Sequence, residues 1–175
     1  MRIINVIVKV LTFPAAFFKG FWEQLICKIM GIPVESKKIF QSGEMAGHIE
    51  HELFYSASKS FKFCFFSGFM TFLAGLIFAF PAIYGLFYLD VTSAMMQLFV
   101  LSWLIIAAGL FTNIFPSIED AIEMWESYKE MNKAAKIILA PAAAIMYAGA
   151  YAETCGITFL TNYGFVAYVI ASIIM

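Results

Sequence analysis

The chain has 175 residues, of which 62% are hydrophobic and only 13% charged, with a formal net charge of −1 and a mean hydropathy of +0.85. These values exclude an ordinary water-soluble domain, in which about a quarter of residues are charged, and point to a single helical membrane domain over residues 1–175. The near-neutral balance offers no basic stripe, so nucleic acid is not an expected partner.

Residues 1–12 form an apolar run with no small-residue cleavage site after it. They read as a retained, membrane-embedded approach, with Lys9 snorkelling to the interface. Residues 13–34 then read as a helix, with Pro14 in its first turn, where the chain is expected to bend, and Gly31 just past its end. The span is long enough to cross, or nearly cross, a hydrocarbon core of about 30 Å. Yet Lys19, Glu23 and Lys28 lie inside it. Lys19 and Glu23 are four apart and share a face. Ionisable groups at membrane depth are costly, and by default they mark a functional site or its remnant.

Beyond Gly31 the chain turns polar. Residues 34–38 and 46–50 alternate in part around Gln41-Ser42-Gly43, which suggests a small β-hairpin. His48 and His51, three apart, would fall on opposite faces of a strand and read as hydrated loop side chains. A relocated metal site with Glu52 or Glu44 is the sharper alternative. Residues 61–89 are the most hydrophobic span, a complete transmembrane helix that Pro81 should kink or end. Asp90 marks a turn, and residues 94–115 make a second span, with Gly109 suited to close helix contact and Pro116 as its stop.

Residues 116–136 are the most charged part. Ser117 with Asp120 three positions on resembles a capping box, opening an amphipathic surface helix. Its acidic face is expected to be solvated, with Glu119, Glu123, Trp125 and Glu126 as candidates for docking a partner. Residues 137–152 and 156–174 are two further apolar spans. The fold class read from this order is all-α: a polytopic helical membrane protein with about four transmembrane helices, a membrane-embedded first helix and a small cytoplasmic β-hairpin. Lys37, Lys38, Lys59 and Lys62 in one polar region, and Lys129, Lys133 and Lys136 in the other, place both in the cytoplasm by the positive-inside rule. The turn at Asp90 and the link at 153–162 would then face outward, in a plasma (inner) membrane. No internal repeat is visible, so an inverted-repeat transporter has no direct support. Cys27, Cys64 and Cys155 are widely spaced in apolar surroundings and read as buried thiols, not as a disulfide framework or zinc knuckle.

Three blocks carry a family resemblance. The first is Phe13-Pro14, Lys19-Gly20-Phe21-Trp22-Glu23, Cys27 and Gly31-Ile32-Pro33-Val34. It resembles the first helix of small polytopic membrane metalloproteases related to the site-2 proteases, which carries FPGT, HExxH and a Gly-Val-x-Val exit. Gly47-His48-Ile49-Glu50-His51-Glu52 resembles that family's Gly-aromatic-Val-x-His-Glu strand. Gly109, the run from Asn113 to Ala121, and Trp125 resemble its Gly…His-Ala-Phe-Pro-Ser-x-Gly-Asp-Ala…Leu-Trp block. The resemblance implies that the HExxH positions fall on Lys19, Gly20 and Glu23, so both zinc histidines and the general-base glutamate are missing. Asp120 matches the implied third metal ligand, while Asn113 replaces a histidine and Glu119 a glycine.

Catalytic zinc needs about three protein ligands and an open position, and the Lys19 ammonium would repel it. No cofactor is therefore expected, with zinc as the alternative. Three readings remain open: a buried cluster of Lys19, Glu23 and Asp120 in which the ammonium takes the metal's place, a plain i,i+4 pair of Lys19 and Glu23, or some other role for these residues. The functional expectation is a catalytically inactive member of that family, acting among membrane lipid and other membrane protein subunits as a binding, scaffold or assembly subunit. Its bundle would hold a partner's transmembrane helix. The alternatives are a divergent intramembrane metallopeptidase with altered ligands, or a small-solute or lipid transport component.

Overall fold

The structure is a computed structural model, and it describes residues 2–36, 47–52, 57–88 and 93–174. Helix α1 spans Arg2–Leu11 and α2 spans Phe13–Met30. The two meet at Thr12 with a bend of 98°, two residues before the expected corner at Pro14. Thr12 holds the corner from both sides. Its hydroxyl donates to the Val8 carbonyl at 2.8 Å, and its own carbonyl accepts the Ala16 N–H at 3.0 Å. Pro14 sits in the first turn of α2, where its missing N–H leaves nothing unsatisfied.

Helix α2 ends at Gly31, which takes φ 65°, a left-handed conformation open to glycine at no steric cost. The Gly31 N–H bonds to the Lys28 carbonyl and the Ile32 N–H to the Cys27 carbonyl at 2.8 Å, the paired bonds of a Schellman stop. Two short strands follow, β1 at Val34–Ser36 and β2 at Glu50–His51. They pair antiparallel with Val34 opposite His51 and Ser36 opposite Glu50, through an irregular register. The second strand lies later than the expected 46–50 segment, and the Gln41-Ser42-Gly43 turn lies outside the described residues.

The remaining elements are helices: α3 Ala57–Tyr88, α4 Ala94–Thr112, α5 Ile118–Glu130, α6 Lys133–Thr154 and α7 Ile157–Ile174. Three are long and apolar enough to cross a membrane, over 59–88, 94–112 and 133–154, and a fourth crossing results if the bent α1–α2 pair acts as one span. The protein is therefore an all-helical, polytopic membrane protein with a minor two-stranded sheet. Pro81 neither ends nor replaces α3, which runs on to Tyr88; proline is tolerated where lipid leaves a backbone no better option than helix. The expected Asp90 turn lies outside the described residues.

Helix α3 packs on α4, α5 and α2, while α4 also meets α7, and α6 meets α5 and α1. One buried apolar cluster joins Ile26, Cys27, Phe63, Cys64, Met124 and Met146 at the α2–α3–α5–α6 end. Another joins Ala82, Val100, Leu104, Ala108 and Val166 where α3, α4 and α7 meet. Cys27 and Cys64 are buried free thiols, and Cys155 is partly exposed.

Small residues permit the closest approaches. A Cβ on Gly109 would stand 3.1 Å from that of Ala15, so α4 lies against the start of α2. The loop after α4 is gripped more tightly. A Cβ on Gly68 of α3 would lie 2.9 Å from the Ile114 carbonyl, and one on Gly149 of α6 would lie 2.2 Å from the Phe115 ring. Two glycines thus open the slot that seats residues 113–116 in the middle of the bundle.

Candidate functional site: a buried charge network

Glu23 is the centre of the site. It lies on α2 with no exposed surface, and three donors converge on its carboxylate. His48 Nδ1 lies 2.8 Å from Oε1, the Ile49 N–H donates to Oε2 at 3.0 Å, and the Ser67 hydroxyl donates to Oε1 at 3.3 Å. The Lys19 ammonium, one turn back on the same helix, stands 3.9 Å from Oε1. Lys19 also donates to the Phe115 carbonyl in the loop held by Gly68 and Gly149.

A second half of the network begins at Lys9. Sequence alone sends this side chain to the interface, but it is 1% exposed and turned inward. It donates to Asn113 Oδ1 at 2.6 Å and pairs with Glu153. The correction has a physical cause. The bend at Thr12 turns α1 back against α6, so Lys9 meets a buried carboxylate more closely than it could meet water. Asn113 completes the knot by donating through Nδ2 to Thr12 Oγ1 at 3.0 Å and to the Gly109 carbonyl at 2.7 Å. Glu153 is expected in an outward link, yet it belongs to α6 and is 2% exposed. Its Oε2 accepts the Phe115 N–H at 3.0 Å.

His48 bridges the halves. Its Nε2 lies 3.8 Å from Glu153 Oε1 while its Nδ1 faces Glu23. Two ammonium groups therefore face two carboxylates around one imidazole, all inside the bundle. Burial of this kind is tolerated only when every charge is paired and hydrogen-bonded. Gly47 makes the insertion possible: at φ 77° it turns His48 inward, and a Cβ there would lie 2.8 Å from Lys9 Cδ.

Asp120 belongs to an adjoining pair. Its carboxylate accepts the Ser117 hydroxyl at 2.7 Å and lies 3.1 Å from His51 Nε2. The Asp120 N–H donates back to Ser117 Oγ at 3.1 Å, so Ser117 is the N-cap read from sequence, with the Asp120 side chain returning to its hydroxyl. The two histidines expected to be hydrated are thus both internal. His48 is 2% exposed, and the His51 ring is 4% exposed against Asp120 with Phe63 edge-on at 4.7 Å. They escape strict strand alternation because His48 lies ahead of the strand, in a bend, and His51 at its last residue. Burial alone would lower the His51 pKa, but the hydrogen bond to Asp120 and its negative charge outweigh this and raise it to about 9. At neutral pH, His51 is a cation and cannot serve as a base.

Of the positions singled out in sequence, Lys19 and Glu23 are brought together and Gly20 is buried on the same helix. The Asp120 carboxylate goes to His51 and Ser117 instead of completing one cluster with them. Glu119 and Glu123 line an open cleft of about 470 Å³ with Glu35, Glu50, His51 and Asp120. Trp125 is half-buried, stacked between Tyr128 and Tyr147 at 5.3 and 5.1 Å, and Glu126 pairs with Lys129 at 2.7 Å. Lys9, His48, His51 and Glu153 are the site residues that sequence reading misplaces, while Asn113, named there as replacing a histidine, links Lys9 to Thr12. For Lys9 and Glu153 a signal existed, since each is a charge set in an apolar run.

Zinc does not fit these side chains. Both Glu23 oxygens are occupied by donors, an ammonium stands 3.9 Å away, and Asp120 faces elsewhere. Among the described residues, no group of three or more His, Cys, Asp or Glu is arranged to hold a metal ion. A catalytic zinc site, by contrast, presents three ligands at about 2 Å around an open position. Comparison of the chain with protein-family models, with curated proteins and with solved structures finds no match.

Proposed function

We infer that this chain is a catalytically inactive relative of the site-2-like membrane metalloproteases, serving as a binding or assembly subunit in a membrane protein complex. One observation carries the reading: the positions aligned with the zinc motif hold Lys19 and Glu23, which pair with each other, and Glu23 is bound in turn to His48. Charge pairing inside the bundle does there what a metal does elsewhere, joining the first helix to the rest of the fold. The resemblance in the first helix, in the 47–52 segment and after α4 supplies the family. The lysines around 59–62 and 129–136 supply the orientation, with that side cytoplasmic in a plasma (inner) membrane.

The binding role rests on the lipid-facing surface. A groove of about 680 Å³ runs between α3, α4 and α7, lined by Ile83, Leu86, Ala107, Ala108, Phe165 and Val169 among others. Small residues at its floor suit the close approach of a partner's transmembrane helix. The divergent-peptidase alternative gains nothing from the geometry, because His51 is charged at neutral pH and Glu23 has no free oxygen.

Elemental analysis of protein purified without added metal or chelator tests this. The expected result is near-zero zinc per chain, unchanged in Asp120→Ala. About one zinc per chain, lost in Asp120→Ala or Glu23→Ala, overturns it and calls for a cleavage assay.

A further inference from the structure

Near the start of α3 a groove of about 580 Å³ opens between that helix and the α5–α6 corner. Its walls are Phe61, Phe65, Phe66, Met131, Ala135 and Leu139, and its polar lining is Lys62 and Asn132. The walls are stiff: Phe65 stacks on Phe61 and on Phe69, with centroids 6.4 and 6.0 Å apart and planes within 10° and 6°.

With α3 and α4 each crossing once, the start of α3, helix α5 and the start of α6 share one side of the membrane. Lys62 and Asn132 are therefore at the membrane surface, while Phe65, Phe66 and Leu139 lie deeper along the same two helices. Neither α3 nor α6 has an acidic residue in its first turn, and α6 begins with Lys133 and Lys136. Lysines at a helix N-terminus add to the positive end of its dipole instead of opposing it. Helix α5 does the reverse, with Glu119 and Asp120 in its first turn. Lys62 is exposed, and no acidic residue lines the groove.

We propose that this groove holds one anionic phospholipid, its phosphate at Lys62 and the α6 N-terminus and an acyl chain along Phe65, Phe66 and Leu139. An acyl chain matches the apolar depth, and a negative headgroup matches Lys62, the charged residue of the groove's lining. A zwitterionic lipid would bring Lys62 no net negative charge.

Native mass spectrometry of the purified protein, equilibrated with equal amounts of phosphatidylglycerol and phosphatidylcholine, tests the assignment. Wild type is expected to retain one phosphatidylglycerol in preference. Lys62→Gln, an exposed change whose folding is checked by thermal unfolding, should reduce that preference about fivefold, as one lysine near a membrane surface implies. Leu139→Trp should block retention of the diacyl lipid. Equal retention of both lipids, an unchanged preference in Lys62→Gln, or displacement of the lipid by inorganic phosphate alone would overturn the proposal. A dimer that Leu139→Trp dissociates would overturn it in favour of a second copy.

Discussion

Around Glu23 the helices are tied by polar bonds between residues far apart in the chain, whereas α3, α4 and α7 meet through Ala82, Val100, Leu104, Ala108 and Val166. The α4–α7 contact adds only a few longer bonds, such as Asn162 Nδ2 to Thr112 Oγ1 at 3.3 Å and the Tyr163 hydroxyl to the Ile105 carbonyl at 3.3 Å. The contrast follows from the solvent. Lipid tails are as apolar as leucine, so apolar helix faces gain little by leaving them, and packing alone sets the contact. A buried charge has far fewer acceptable positions. The network half therefore constrains which helix meets which more strongly than the apolar half does.

The largest expected effect is in the network. Glu23→Gln removes the carboxylate that offsets Lys19 and accepts from His48, Ile49 and Ser67, and should cost about 3–5 kcal/mol as an uncompensated buried charge. Thermal unfolding in detergent measures it, and a loss below about 1 kcal/mol would mean that the network is incidental. Gly149→Ala sharpens the comparison at a site that carries no charge. The new Cβ would stand 2.2 Å from the Phe115 ring, displacing the loop that presents the Phe115 carbonyl to Lys19 and its N–H to Glu153. Overpacking of this kind costs about 1–3 kcal/mol. In the other half, Val166→Ala should cost only about 1 kcal/mol, because the removed methyl groups lose packing without being returned to water.

How much of this was legible follows from sequence separation. Pro14, Gly31 and the Ser117–Asp120 cap are local signals, readable because donor and acceptor lie within one helical turn. Lys19 and Glu23 are four apart, so their pairing was legible too. Lys9 and Glu153 are 144 positions apart, and Lys9 and Asn113 are 104 apart; no periodicity encodes such pairs. Lys9 could be placed only once the chain was known to turn 98° at Thr12. The histidines depart from expectation for a related reason: in their segment only Glu50 and His51 are strand, so alternation does not govern His48.

A pH dependence is also expected, from the His51–Asp120 pair beside the network. His51 titrates at about 9 in the fold, against about 6.5 unfolded. Folded-state preference for the charged form means that the stabilisation is fully present below about pH 6.5 and is lost as pH rises through 9. The melting temperature should fall across that window in wild type and less steeply in His51→Phe. A flat profile in wild type would remove the pair from the account.

The central claim is that paired charges, and not a metal, hold α1 and the loop after α4 to α6. The most direct test is a double-mutant cycle on Lys9 and Glu153 by thermal unfolding of protein handled with chelator throughout. Lys9→Met and Glu153→Gln should each cost about 3–5 kcal/mol, and the double variant much less than their sum, since it leaves neither charge unpaired. Fully additive losses, or wild-type stability that collapses on chelation, would contradict it.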